Sequence, residues 1–120
     1  MANVLVVDDS ASMRNMVVAT LSSAGHSAKD AENGEEALNI AKSSSFDAVI
    51  TDLNMPVMDG ITLVKELRAL SSYSYTPILL LTTESAGDKK LAGKEAGATG
   101  WLVKPFNPEK LLSTIDRVLG

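Results

Sequence analysis

Four apolar runs in this 120-residue chain end in polar side chains for which strand burial offers no use. Val4–Val7 gives way to Asp8-Asp9, Ala48–Ile50 to Thr51-Asp52, Ile78–Leu81 to Thr82-Thr83, and Trp101–Val103 to Lys104. A single Asp after a strand commonly does no more than cap the helix that follows. Three acids converging on one point are harder to accommodate. Two carboxylates about 4 Å apart repel by around 4 kcal/mol at an effective dielectric of ~20, a large share of a domain's whole stability. Such a cluster persists only if it is protonated or if a cation fills it. Oxygen-only ligands suit Mg²⁺, which prefers six-coordination and keeps several waters. With Thr82 and Lys104 beside them, Asp8, Asp9 and Asp52 are read as a divalent-cation site.

These residues meet only if the runs are strands of one sheet. Val4-Leu5-Val6-Val7 is a compact β-branched run of the kind covered on both faces. Met13, Met16, Val17, Thr20, Leu21 and Ala24 recur at helical spacing and predict one buried helix face, stopped by Gly25. Residues 27–32 form a weak, polar strand that suits a sheet edge. Asn33 with Glu36 three positions on opens a helix through about Ser44. Ala48-Val49-Ile50 is another buried-type strand, and Asp59-Gly60 opens a helix whose face carries Leu63, Val64, Leu67 and Leu70. Pro77 introduces the strand Ile78–Leu81. The helix over roughly 87–96 is alanine-rich, basic at Lys89, Lys90 and Lys94, and only weakly amphipathic, which predicts loose packing. Gly97 and Gly100 flank the turn into the last strand. Asn107-Pro108-Glu109 supplies a cap, a proline at the first helical position and an acid in the first turn. The helix it opens packs through Leu111, Leu112, Ile115, Val118 and Leu119.

Five strand–helix units starting near 3, 27, 47, 77 and 99 predict an α/β fold with right-handed crossovers. It is a (βα)5 doubly wound, five-stranded parallel sheet in the order 2-1-3-4-5. Placing the polar second strand at the edge makes strands 1 and 3 neighbours at the switch point. Ligands of such sheets bind there, beyond the carboxyl ends of the strands.

Composition narrows the classes of function. There is no cysteine, so disulfide, thiolate and sulfur-ligated metal chemistry are excluded. Apolar runs such as Ile78–Leu81 are far too short to cross a bilayer, and residues 1–7 lack the basic start of a signal peptide. Both point to a soluble cytoplasmic protein. The net charge of −4 is uneven: residues 1–60 hold nine acids and three bases, residues 61–120 six acids and eight bases. An acidic chain is a poor candidate for wrapping nucleic acid, whereas acids clustered in its first half attract a hard cation. With no linker or low-complexity tract, residues 1–120 are expected to form one domain without an output module.

Asp8-Asp9, then Asp52 followed by Asn54-Met55-Pro56 and Asp59-Gly60, then Thr82, then Lys104-Pro105-Phe106 form an ordered set. In that order it resembles the receiver domain of two-component response regulators, over essentially the whole chain. Among receivers, a lone domain is most similar to the stand-alone chemotaxis regulators. The resemblance implies a flavodoxin-like fold and makes Asp52 the phosphoacceptor. It implies that Asp9, Asp52 and the main-chain carbonyl of Asn54 bind Mg²⁺ directly, with Asp8 acting through a metal-bound water. Catalysis of phosphoryl transfer is mainly positioning and charge neutralisation. Mg²⁺ and the Lys104 ammonium can share the phosphoryl oxygens, leaving a third for Thr82 and nearby amides. A cis Lys104-Pro105 bond, as in the family, would aim the lysine inward.

The resemblance also implies a switch. Thr82 moves toward the phosphoryl group, and an aromatic residue on strand 5 turns inward; that residue is Trp101 here, where Tyr or Phe is more usual. Asn54 and Glu84 flank the chemistry and match the pattern associated with short-lived phosphorylation. The implied partners are a histidine kinase as donor, a phosphatase, and a protein docking on helix 4, strand 5 and helix 5, such as the flagellar motor switch. A phosphorelay role toward a histidine phosphotransfer protein, or service as a phosphate sink, is the alternative. On this reading the protein is a monomeric phosphoacceptor that assists its own phosphorylation and dephosphorylation.

Other residues and readings carry less. His26, the only histidine, is expected to be exposed in a turn. Arg14 either moderates the acid cluster's charge or is ordinary surface, and Met55 and Met58 are read as packing. A flavin carrier of the same fold would need a hydroxyl- and glycine-rich loop after strand 1, where this chain has two acids. An aspartyl-phosphate phosphohydrolase would need Asp-x-Asp after its first strand. Asp52-x-Asn54 begins like a calcium loop, but Val57 stands at the sixth position and proline at the fifth. No phosphate-binding G-x-x-x-x-G-K-[S/T] loop occurs.

Overall fold

The computed structural model describes residues 2–83 and 87–120, the side chains of 87 and 88 aside. The elements run β1 Asn3–Val7, α1 Ala11–Ser23, β2 Ser27–Ala31, α2 Gly34–Ser43, β3 Ala48–Thr51 and α3 Gly60–Arg68. They continue as β4 Ile78–Thr82, α4 Gly87–Ala96, β5 Gly100–Val103 and α5 Pro108–Leu119. All strand pairs are parallel, as the alternation of strand and helix patterns predicts, and the order is β2-β1-β3-β4-β5, as expected. The most apolar runs hold the centre: Val4–Val7 and every residue of β3 and β4 are buried. β2, with only Ala31 buried, takes one edge, where a polar strand keeps its side chains in water.

Alternation along the strands divides the interior in two. Leu5, Val7, Val49, Ile78 and Leu80 pack with Leu38 of α2 and Leu63, Val64 and Leu67 of α3. Val4, Val6, Ile50, Leu79 and Leu81 pack on the other face with Val17 and Leu21 of α1 and Leu111 and Ile115 of α5. The predicted caps at Asn33, Asp59 and Asn107 are made, and Ser10 caps α1 in addition. Ser10 accepts from the Met13 amide, Asn33 from Glu36, Asp59 from Thr62, and Asn107 from Glu109 and Lys110.

Three details depart from the sequence reading. The buried stripe of α1 is centred on Val17 and Leu21, so Met16, about 100° of helix rotation from Val17, points outward and is 54% exposed. His26 is half-buried instead of exposed, because its Nδ1 accepts the Ala2 amide at 3.2 Å. A short 3₁₀ turn, Ser71–Tyr73, joins α3 to β4. The Tyr73 hydroxyl in this turn is shared between the carbonyls of Ala41 (2.8 Å) and Ser44 (2.7 Å). Arg68 donates to the carbonyls of Tyr73 and Thr76, both at 2.7 Å, and to Gly97 just past α4. No helix among the described residues is long and apolar enough to cross a membrane.

Candidate functional site

Register places the acids side by side. Val7 of β1 lies opposite Thr51 of β3, so Asp8 and Asp52 leave the sheet as neighbours. The Asp52 amide donates to the Val7 carbonyl at 2.8 Å, and the Asp8 amide to the Ala31 carbonyl at 3.1 Å. Both side chains stay close to the sheet end, 3% exposed for Asp8 and 8% for Asp52, while Asp9 is exposed. One carboxylate oxygen from each of the three lies within 4.8 Å of the others. Gly60, the first residue of α3, is held so tightly against the Asp52 carbonyl oxygen that a Cβ there would collide with it. A residue with a side chain at this position would push α3 away from the acid.

Lys104 enters from the far side of the sheet. The Lys104–Pro105 bond is cis, as expected, and the lysine amide donates to the Thr82 carbonyl at 2.7 Å. Its ammonium lies 2.7 Å from Asp8 Oδ2 and 3.3 Å from Asp52 Oδ2. The remaining carboxylate oxygens have backbone partners. The Ser10 amide donates to Asp8 Oδ1 at 2.9 Å, and the Leu53 amide to Asp52 Oδ1 at 2.8 Å. Burial, above all, lifts the Asp52 carboxyl above the ordinary aspartate range, and the Asp8 charge adds to this against the opposing pull of Lys104 and the Leu53 amide. Burial alone would lower the Lys104 ammonium, but its hydrogen bonds and the charges of Asp8 and Asp52 outweigh that and hold it above its usual value.

The other predicted residues fall around this centre. Thr82 is fully buried at the end of β4, and Thr83 beyond it is exposed. Asn54 lies two residues past Asp52 in an exposed turn whose Val57 adopts a left-handed φ of 72°, unfavourable for a β-branched residue. Met55 and Met58 of the same turn pack against the α2/α3 side of the core, as read. Trp101, half-buried on β5, packs on that side too, and its ring lies beneath Gly93 of α4. Glu84 lies outside the described residues.

Sequence reasoning left Arg14 undecided, did not notice Ser10, and read Gly60 only as part of a helix start and of the ordered motif, not for its close approach to Asp52. Ser10 carries a signal in hindsight, a capping residue placed directly after the acids. Arg14 does not, because its contact with the Asp8 carbonyl depends on how α1 leaves the sheet.

Three carboxylates against one ammonium leave the pocket negative. The donors are hard oxygens fixed at strand ends, and Asp9 is open to solvent. These residues fit a divalent cation that keeps part of its water shell. The arrangement suits positioning and neutralising an incoming oxyanion next to a held carboxylate.

Comparison with known proteins agrees with this geometry. Residues 4–116 match the family model described as the response regulator receiver domain. A chemotaxis protein CheY homolog of Campylobacter jejuni is 41% identical over 97% of this chain and 91% of its own. Chemotaxis protein CheY-3 of Vibrio cholerae is 36% identical over 96% of this chain and 89% of its own. Among solved structures, Vibrio cholerae chemotaxis protein CheY4 superposes with a TM-score of 0.96 at 57% identity, covering 99% of both chains. The receiver domain of the Pseudomonas aeruginosa sensor histidine kinase PA1611, with a magnesium ion coordinated in its active site cleft, superposes at 0.93 with 28% identity, covering 99% of this chain and 98% of its own. An acid nest at the end of a 2-1-3-4-5 sheet, a family match across nearly the whole chain and relatives of this closeness carry one conclusion: the chain belongs to the response regulator receiver domain family, on its CheY-like chemotaxis branch.

Proposed function

We propose that this protein is a phosphorylation switch in chemotaxis, with Asp52 as the residue that accepts a phosphoryl group from a histidine kinase. The observation that carries the reading is the seat of Asp52. Its carboxylate is nearly buried, fixed by one amide, 3.3 Å from an ammonium and grouped with two further acids. In the transfer a bond forms from an Asp52 oxygen to phosphorus as the phosphorus–nitrogen bond to the donor histidine breaks. Lys104, now shared between Asp8 and Asp52, turns its ammonium to a phosphoryl oxygen, and Thr82 meets another.

Asp9, Asp52 and the Asn54 carbonyl would hold Mg²⁺, with Asp8 acting through a bound water. When bound, the ion neutralises charge that the phosphoryl group brings to an already negative pocket. The oxygen-only donor set and the magnesium in the Pseudomonas receiver support this choice of metal. Asn54 and Glu84 match the residue pattern associated with short-lived phosphorylation, and the protein assists its own dephosphorylation.

The modified state is read at α4, β5 and α5, where Thr82 and Trp101 change position together and a partner such as the flagellar motor switch docks. The chemotaxis names of the relatives favour this over a relay to a histidine phosphotransfer protein or a phosphate sink.

Treatment with acetyl phosphate and MgCl₂, followed by mass spectrometry, should add one phosphoryl group to the wild type and none to Asp52→Asn. Trp101 emission should change in the same wild-type samples. Equal modification of the variant would overturn the assignment of the acceptor, and unchanged emission despite modification would remove Trp101 from the switch.

A further inference from the structure

The site described above leaves one nearby cation without a role. Arg14, in the first turn of α1, is 16% exposed at its side chain and reaches two places at once. Nη1 donates to the main-chain carbonyl of Asp8 at 2.7 Å, and Nε to Asp30 Oδ2 at 2.9 Å, on the edge strand β2. Asp8 is thereby held at every polar atom. Ala31 takes its amide, Ser10 and Lys104 take its two carboxylate oxygens, and Arg14 takes its carbonyl.

That carbonyl belongs to the Asp8–Asp9 peptide, which is planar. Fixing its oxygen fixes the plane from which the Asp9 side chain projects. Asp9 needs such a constraint from its backbone, because its carboxylate is exposed and makes no ion pair among the described residues. The brace is anchored outside the acid nest. Asp30 lies in register with Val6, two residues before Asp8, so the clasp also ties the edge strand to the end of β1.

We infer that Arg14, held in place by Asp30, is a positioning residue for the cation site: it sets the Asp8–Asp9 peptide and so presents the Asp9 carboxylate beside Asp8 and Asp52. The inference rests on reading those three acids as a Mg²⁺ site. A role in charge moderation alone has the opposite signature. Taking a positive charge away from a cation site relieves repulsion and tightens binding, whereas losing the brace loosens it.

MgCl₂ titrations by calorimetry on the full chain decide between them, at a temperature where circular dichroism shows each variant folded. Arg14→Ala should weaken Mg²⁺ binding by about tenfold, the scale seen when groups that orient metal ligands are removed. Arg14→Lys keeps the charge and should weaken it as well, because an ammonium cannot span the carbonyl and the carboxylate with the fixed fork of a guanidinium. Asp30→Asn should cause a smaller loss, and that loss should vanish in the Arg14→Ala background. Wild-type binding with unchanged or tighter binding in Arg14→Ala would overturn the inference while leaving the Mg²⁺ reading intact. An Asp30→Asn loss of equal size with and without Arg14 would also overturn it, since that is the mark of a bare charge effect. A wild type that takes up no Mg²⁺ at tens of millimolar would overturn both.

Discussion

The middle of the sheet and its carboxyl-terminal rim are nearly equally buried and are built on opposite terms. From Val4 to Val7, from Ala48 to Ile50 and from Ile78 to Leu81 every side chain is apolar and at most 2% exposed. One or two residues further along the same strands, Asp8 and Asp52 are as enclosed but charged, and the Lys104 side chain between them is 12% exposed. Burial stabilises the first group by roughly 25 cal/mol per Å². It penalises the second unless each charge is paired and hydrogen-bonded. The difference teaches that the interior carries the rim. It also means that rim stability answers to pH and to cations, whereas interior stability answers to neither.

Breaking the interior should give the largest effect. Leu80→Ala, at a position with no exposure in the centre of β4, should cost about 4 kcal/mol in urea denaturation. That loss should be the same at pH 7 and pH 5 and with or without MgCl₂; a deficit that Mg²⁺ repairs would erase the distinction between the two regions. Next comes Lys104→Ala, which strips the shared ammonium from two enclosed carboxylates and should cost the metal-free protein about 3 kcal/mol. Here MgCl₂ should restore part of the loss, since a second cation becomes available to the same oxygens. The smallest effect runs in the favourable direction. Asp52→Asn should stabilise the metal-free protein at pH 7 slightly, because an unionised side chain avoids the burial cost.

The pH dependence of that gain fixes its origin. Folded Asp52 binds its proton more readily than the unfolded chain does, so this group's contribution rises as pH falls from neutral and is complete below the unfolded value of 3.8. The advantage of Asn over Asp should therefore be greatest at pH 7 and shrink toward pH 5 in paired melts. An advantage that stays constant over this range would move the burial cost to another residue.

Much of this was legible before any coordinates. The edge position of β2 and the adjacency of β1 and β3 followed from one observation, that Ser27–Ala31 is too polar to be covered on both faces, and the acid cluster followed from acids standing directly after apolar runs. Side chains whose role is to reach a backbone carbonyl were not legible. Arg68, Tyr73 and Arg14 each bond to carbonyls of other segments, and a carbonyl leaves no trace in the identity of its residue. His26 was misplaced for the same reason, since its partner is a main-chain amide. Met16 failed differently. Helical spacing of apolar residues fixes a stripe only to within one position, and α1 has too few charges on its outer face to choose between neighbours.

The turn from Leu53 to Asp59 lies between two helices that both begin with glycine. A methyl group on Gly34 would come within 2.7 Å of the Met58 carbonyl oxygen, and one on Gly60 would strike the carbonyl of Asp52. The stretch after Asp52 is walled in at both ends by glycine backbone that has no side chain to give way. On the opposite flank, α4 rests lightly, with Gly93 its one buried residue from 89 to 96 and Leu91 56% exposed. Asp52 thus sits between closely fitted backbone on one side and a lightly packed helix on the other, so the two flanks differ in how much room they leave for movement.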